Sequence, residues 1–330
     1  MSRGLRVRIH LGRVHLEVLT LTHGPASSIK FGNKRVFFLS GKGGTGKTAI
    51  SVGLARALAR RGKRVLIVEI DAPRPNLPNY FGGQIDAQPR KVGRRIDGCN
   101  VDFFSALRAY VESVVPVKRV VGLILKNRVV KIFLTATPGA RELVLMSRIW
   151  EFSWDPRWDH IIVDLPASGH AMALMRCAFL ARNAFARGPL RKRADAIIDR
   201  FQDPGVAGLY FCALPGEMPI NETLETRQQL VDLGMPQVGG AFLNQYPDES
   251  FSEEEQEMLD SLYSLEHTPT QVAAAVEAAI ETRRNQVVAE EGAEKLLGAF
   301  GPGYVGRLPV LPGTHSQVAD AISLIITEWL

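Results

Sequence analysis

The sequence contains no pair of cysteines at metal-binding or redox-active spacing. Its three, Cys99, Cys177 and Cys212, stand far apart, which excludes a Cys-x-x-Cys zinc or dithiol centre and a disulfide framework. They read as small buried apolar residues of a reduced, cytoplasmic protein. A membrane-spanning run is also missing. The most apolar region, 111–134, is interrupted by Lys118, Arg119, Lys126, Arg128 and Lys131, so neither a signal peptide nor an integral membrane segment is expected. Excess charge is absent from most of the chain as well. The formal net charge is +6, yet residues 1–35 alone hold seven Lys and Arg against the single Glu17, leaving 33 basic and 33 acidic side chains in the other 295 residues. A neutral core gives no expectation of a nucleic-acid partner, and the basicity belongs to an N-terminal extension, 1–34. There Val7, Ile9 and Leu11, then Val14, Leu16 and Val18, alternate with polar residues around Gly12-Arg13. That pattern suggests a small hairpin, against the competing reading of a poorly ordered basic arm, and 24–28 resembles a linker.

What is present is an ample core, with 46% hydrophobic residues in 330, and one dense motif. Val36-Phe-Phe-Leu-Ser-Gly-Lys-Gly-Gly-Thr-Gly-Lys-Thr48 joins an apolar run to a glycine-rich loop. Ala49, Ile50, Leu54, Ala57 and Leu58 then recur at helical spacing, giving the strand, loop and helix that a phosphate-binding loop requires. Gly41, Gly43, Gly44 and Gly46, with Thr45 between them, let backbone N–H groups meet phosphate oxygens at a helix N-terminus. Lys47 is placed for the β- and γ-phosphates of ATP, and the Thr48 hydroxyl for Mg2+.

Two acids follow at matching places. The near-continuous apolar run 64–70 reads as a buried parallel strand with Asp71 at its carboxyl end, the edge at which open α/β sheets bind ligands. The run 158–164 reads the same way and ends at Asp164, an acid of the kind that holds Mg2+ through water. Between them, 76–98 is rich in Gly, Pro, Arg and Gln and is expected to be a long mobile segment. Residues 103–150 read as apolar helices broken at Pro116 and Pro138-Gly139, and 171–202 as a second helical stretch holding the basic knot Arg187 to Arg193. The strands 209–214 and 238–243 follow, the latter with Asn244 at its end. A helix ending near Gly234, two acidic helices within 248–294 with thirteen Asp and Glu against two Arg, a short strand and a last helix without Lys or Arg complete the chain.

Lys42, just after the first glycine, makes the loop Gly-Lys-Gly-Gly-x-Gly-Lys-Thr, which resembles the deviant P-loop ATPases: the arsenite-pump and tail-anchored-protein-targeting ATPases, with the cell-division and plasmid-partition ATPases. Asp164-Leu-Pro-Ala-Ser-Gly169-His170 is similar to the second switch of the first two, usually Asp-Thr-Ala-Pro-Thr-Gly-His. Asp71-Ala-Pro-Arg-Pro-Asn departs from the usual Asp-Pro-Ala-His, so the aspartate role carries over and the histidine role does not. The resemblance covers roughly 36–315. It implies an α/β fold, a P-loop NTPase with a mostly parallel, doubly wound sheet flanked by helices, and an inserted helical subdomain from about 100–150 and 171–205 within a domain at 35–330. It implies ATP hydrolysis with Mg2+, Asp71 orienting the attacking water, Asn244 reading adenine, and Asp71, Asp164, Gly169 and His170 as switch elements. Lys42 would reach the partner's phosphates in a homodimer, since one P-loop implies the single-copy, bacterial-type arrangement. The client would be a hydrophobic protein segment or a membrane partner in oxyanion or metalloid transport.

Two other classes share this loop. A positioning ATPase acting on DNA or membrane predicts a basic core face or a basic amphipathic last helix, and the sequence has neither. A small-molecule synthetase needs a polar substrate pocket, which the large apolar insertion does not suggest.

Overall fold

A computed structural model describes residues 5–11, 14–20, 29, 31–115, 117–128, 136–233, 238–247, 251–263, 270–301 and 305–330. The sequence-expected breaks at Pro116 and Gly234, the Gly12-Arg13 turn and the 24–28 linker lie outside the described residues. Strands β1 (Leu5–Leu11) and β2 (Val14–Thr20) pair antiparallel, Leu5 opposite Thr20 and Leu11 opposite Val14.

The described elements continue as β3 (Val36–Gly41), α1 (Lys47–Arg60), β4 (Val65–Ile70), α2 (Pro78–Phe81), β5 (Arg90–Gly93), β6 (Ile96–Val101), α3 (Phe103–Val114), α4 (Lys118–Lys126), α5 (Ala140–Trp154), β7 (His160–Asp164), α6 (Ser168–Ala184) and α7 (Pro189–Phe201). Then come β8 (Ala207–Ala213), α8 (Glu217–Leu233), β9 (Val238–Tyr246), α9 (Glu253–Tyr263), α10 (Thr270–Phe300), β10 (Val305–Pro309) and α11 (His315–Trp329). Eight strands form one sheet in the order β10-β9-β8-β3-β7-β4-β6-β5. It is mostly parallel, with β5 antiparallel to β6 at one edge, and helices flank it: the P-loop NTPase form of the α/β fold. Every residue of β3, β4, β7 and β8 is buried, which is why these strands read as continuous apolar runs.

The expectation of a long mobile segment over 76–98 is corrected. β6 pairs with β4 along its whole length, from Ile96 opposite Val65 to Val101 opposite Ile70. Its polar composition hid a strand whose buried residues are Ile96, Gly98, Cys99 and Val101. Gly98 leaves room for a close neighbour, since a Cβ there would lie 3.2 Å from Val92 Cγ1, tighter than an ordinary contact.

The chain divides into two compact units, one of Lys30–Cys212, Glu225–Gly240 and Pro312–Leu330, the other of Met1–Ile29, Ala213–Leu224 and Ala241–Leu311. In the second, β10 runs parallel to β9 from Val305 opposite Ala241, and Arg283 of α10 bridges Asp260 of α9 at 2.8 Å. In the first, helices of the 103–201 region bury Leu107, Tyr110, Leu143, Ile149, Cys177, Ala181, Ile197 and Phe201. Asp102 caps α3 by accepting from the N–H groups of Phe104 and Ser105 at 2.9 and 3.0 Å. Arg35 donates to the carbonyls of Ser153 and Asp155 at the end of α5, where the helix leaves acceptors unpaired, and to that of Trp158 beyond it. Lys34 donates to the Pro204 carbonyl at 2.5 Å. Two of the basic residues counted near the N-terminus are therefore structural fasteners.

α1 and α11 pack closely because α1 offers a glycine at the crossing. A Cβ on Gly53 would lie 2.4 Å from Ile322 Cγ2, inside contact distance. Gly53→Val is expected to destabilise the protein by about 2 kcal/mol through overpacking, and adding Ile322→Ala should recover part of the loss. Thermal or denaturant unfolding checks this, and an unchanged midpoint for Gly53→Val would refute the close crossing.

Candidate functional site

Three neighbouring parallel strands, β3, β7 and β4, end at the same edge of the sheet. Leu39 of β3 lies opposite Asp164 of β7, and Asp164 opposite Glu69 of β4. The order of the sheet thus gathers the glycine loop, Asp164 and Asp71, which are separated by up to 123 residues of chain. The loop itself needs its glycines. A Cβ on Gly41 would meet the Cys212 carbonyl oxygen at 2.3 Å, while Gly44 and Gly46 sit at φ 85° and 83°, the left-handed region that favours glycine. Thr45 closes the loop, its hydroxyl donating to the Lys42 carbonyl at 2.9 Å, and the Lys47 ammonium donates to the same carbonyl at 3.0 Å. Gly46 caps α1 with no side-chain hydrogen bond to the first turn. Lys42 is exposed.

Asp164 is buried. Its carboxylate accepts from the Thr48 hydroxyl at 2.6 Å and the Ser51 hydroxyl at 3.3 Å. Burial pushes its pKa up to about 6; the Thr48 hydrogen bond opposes the rise and the nearby Glu69 carboxylate adds to it. Glu69 is itself buried and raised chiefly by desolvation, and it accepts from the N–H groups of Asn76 and Leu77 at 2.8 and 3.2 Å. Asp71 adopts φ 51°, rare for a residue with a side chain and typical of strained functional positions. Its Oδ2 pairs with Arg141 Nη2 at 2.5 Å, and its Oδ1 accepts from the Phe103 N–H at 3.4 Å.

These groups border one cavity of about 1020 Å3. Gly43, Gly44, Gly46, Lys47, Thr48, Asp71, Asp164 and His170 line it, as do Glu69, Arg74, Tyr80, Arg141, Glu142 and His315. Gly41 and Thr45 shape the loop from behind, and Gly169 lies in the first turn of α6. Asn244 lies within β9, which runs two residues beyond it, and is buried in the other compact unit. Sequence reasoning missed Glu69, Arg141 and the Tyr80–His315 pair, whose rings stand edge to face with centroids 5.4 Å apart. Glu69 carried a visible sign: a lone acid in an otherwise apolar buried strand. The others carried none.

Residues 34–187 match the model of a family described as anion-transporting ATPase. This stretch of the chain is similar to that family over 154 of its 330 residues. ATPase BagA of Mycobacterium tuberculosis is 24% identical over 221 residues, covering 64% of each chain. Arsenical pump-driving ATPases of Acidiphilium multivorum and Escherichia coli are 29% and 28% identical, over 60% of this chain and 37% of theirs. The chain therefore spans less than two thirds of the length of these curated relatives. The family match takes in the glycine loop, both strand-end acids and His170, and ends before β8.

The raised pKa of Asp164 has a defined stability consequence. Its folded-state value lies above the unfolded one, so stability is lost as pH rises from about 4 to about 6. Asp164→Asn removes that dependence. Without nucleotide, the variant is expected to gain on the wild type by about 1–3 kcal/mol across this window, read as denaturant midpoints at pH 4 and 7; a gap that does not change with pH would refute it.

Proposed function

We propose that the chain is an ATP-binding and ATP-hydrolysing switch that works as a homodimer and controls the capture and release of a client by its nucleotide state. The observation that carries this reading is the cavity lined at once by Gly43, Gly44, Gly46, Lys47, Thr48, Asp71, Asp164 and His170. The loop N–H groups and the start of α1 suit the phosphates of ATP, with the Lys47 ammonium moving from the Lys42 carbonyl to phosphate. Asp71 at the cavity wall orients water for in-line attack on the terminal phosphate, yielding ADP and phosphate. Gly169 and His170, at the start of α6, relay nucleotide state to that helix.

The Thr48 hydroxyl and the buried Asp164 carboxylate form a hard-oxygen donor pair, and burial already makes the isolated charge costly, so the residues fit Mg2+. No group of three or more His, Cys, Asp or Glu that could hold a metal ion occurs among the described residues; an ion on this one carboxylate and one hydroxyl would draw its other oxygens from phosphate and water. When bound, it neutralises charge on the phosphates.

Lys42, exposed on the loop, suits contact with the partner's phosphates. The helices of the 103–201 region support a client of apolar character, either a hydrophobic protein segment or a membrane partner in oxyanion or metalloid transport: Phe104 and Leu123 are 66% and 71% exposed. No described helix is long and apolar enough to cross a membrane. We read the protein as cytoplasmic, where ATP is abundant and its three thiols stay reduced.

Asp71→Asn is expected to lower turnover about 100-fold or more with nucleotide binding retained. Lys42→Ala should likewise abolish hydrolysis and keep binding, and Lys47→Ala should impair both. Phosphate release and nucleotide titration measure these. Pull-down of transmembrane peptides by Asp71→Asn in ATP, beside arsenite stimulation of the wild-type rate, tests the client. ATP turnover with neither capture nor stimulation would reject the client reading.

A further inference from the structure

The Arg141 guanidinium has three partners or neighbours that belong to different parts of the site. It pairs with Asp71 Oδ2 at 2.5 Å, lies over the Phe103 ring at 4.5 Å from its centroid, and borders the cavity that the glycine loop lines. It is the second residue of α5, one past Ala140, in a helix that Gly139 caps at φ 77°. A cation in the first turn of a helix is opposed by the helix dipole, so this position is favourable only with an anion beside it. Asp71 is one such anion. A terminal phosphate carries more charge and offers the guanidinium a bidentate partner.

We propose that Arg141 is the residue that distinguishes ATP from ADP in this cavity, by exchanging Asp71 for the terminal phosphate. This rests on the nucleotide reading above. The exchange has two effects. It leaves the Asp71 carboxylate free to hold the attacking water, and it draws the start of α5 toward the nucleotide. The Phe103 ring backs the guanidinium in its Asp71-paired position. The side chain is 44% exposed, so it swings without unpacking the helix. α5 buries Leu143, Val144, Met146 and Ile149, and Trp150 Nε1 donates to the Ala196 carbonyl of α7 at 3.0 Å. A displacement at Arg141 therefore reaches α7 through rigid contacts. After hydrolysis and phosphate loss the guanidinium returns to Asp71 and quenches the site.

The test is the affinity ratio for a non-hydrolysable ATP analogue over ADP, measured with Mg2+ on the full chain. Arg141→Ala is expected to weaken the analogue about tenfold or more while ADP changes less than about twofold, as loss of a charge-assisted phosphate contact predicts. Arg141→Lys keeps the charge without the fork and should recover part of the ratio. Asp71→Asn frees Arg141 and should tighten the analogue, a gain that disappears in the Asp71→Asn, Arg141→Ala double variant. Equal losses for analogue and ADP, or a lowered melting temperature with an unchanged ratio, would make Arg141 a structural tether and overturn the proposal. If the wild type neither binds nor hydrolyses ATP, the functional reading falls; if it does both and the ratio is unmoved by Arg141→Ala, only this inference falls.

Discussion

The buried Asp164 carboxylate constrains the rest of this structure. It holds a charge-bearing group at the end of a strand, with the Lys47 ammonium acting on it and hydroxyls of Thr48 and Ser51, one helical turn apart on α1, donating to it. Those two hydrogen bonds fix the rotation of α1 about its axis, and hence the direction in which the glycine loop opens. They also fix α1 against β7. The opposite face of α1 can then meet α11 only where Gly53 leaves room for Ile322. A polar contact and a steric gap on opposite sides of one helix thus set the position of the loop more firmly than the loop's own short hydrogen bonds.

Around that helix the structure is arranged by sharing of ligands. Arg56, on α1, donates to the Ser316 carbonyl at 2.7 Å and to the Tyr80 carbonyl at 2.9 Å, and pairs with Asp320 at 3.1 Å. One guanidinium therefore ties α1 to α2 and to the start of α11, where Thr314 and Gln317 form a capping box. Tyr80 and His315, which border the cavity, are held by this arrangement. The wall of the site is in this sense a by-product of core electrostatics.

The sheet and the phosphate loop were legible in the residues because each rests on local pattern. Buried parallel strands announce themselves as apolar runs, and the loop as glycines followed by Lys47 and Thr48. Asp71 and Asp164 were legible because strand ends are where acids of this kind emerge. β6 was not, since Asp97, Gly98 and Asn100 dilute its alternation, and its strand character comes from pairing with β4 rather than from propensity. Arg141 was not, because nothing in the residues around it foretells that α5 begins beside Asp71. Lys34 and Arg35 looked like members of a basic extension until their carbonyl partners, more than a hundred residues away, came into view.

The anchoring of Glu69 has a geometric consequence for the segment after Asp71. Glu69 grips the N–H groups of Asn76 and Leu77, and Asp71 is pinned by its own N–H to the Val101 carbonyl at 2.9 Å. Between these moorings lie Ala72, Pro73, Arg74 and Pro75, and from Asp71 to Asn76 the tether reaches roughly 17 Å when fully drawn out, stiffened by two pyrrolidine rings. Asn100 holds Ala72 from both sides, accepting from its N–H and donating to its carbonyl. A strap so short, and fastened at both ends, keeps Arg74 at the wall of the cavity.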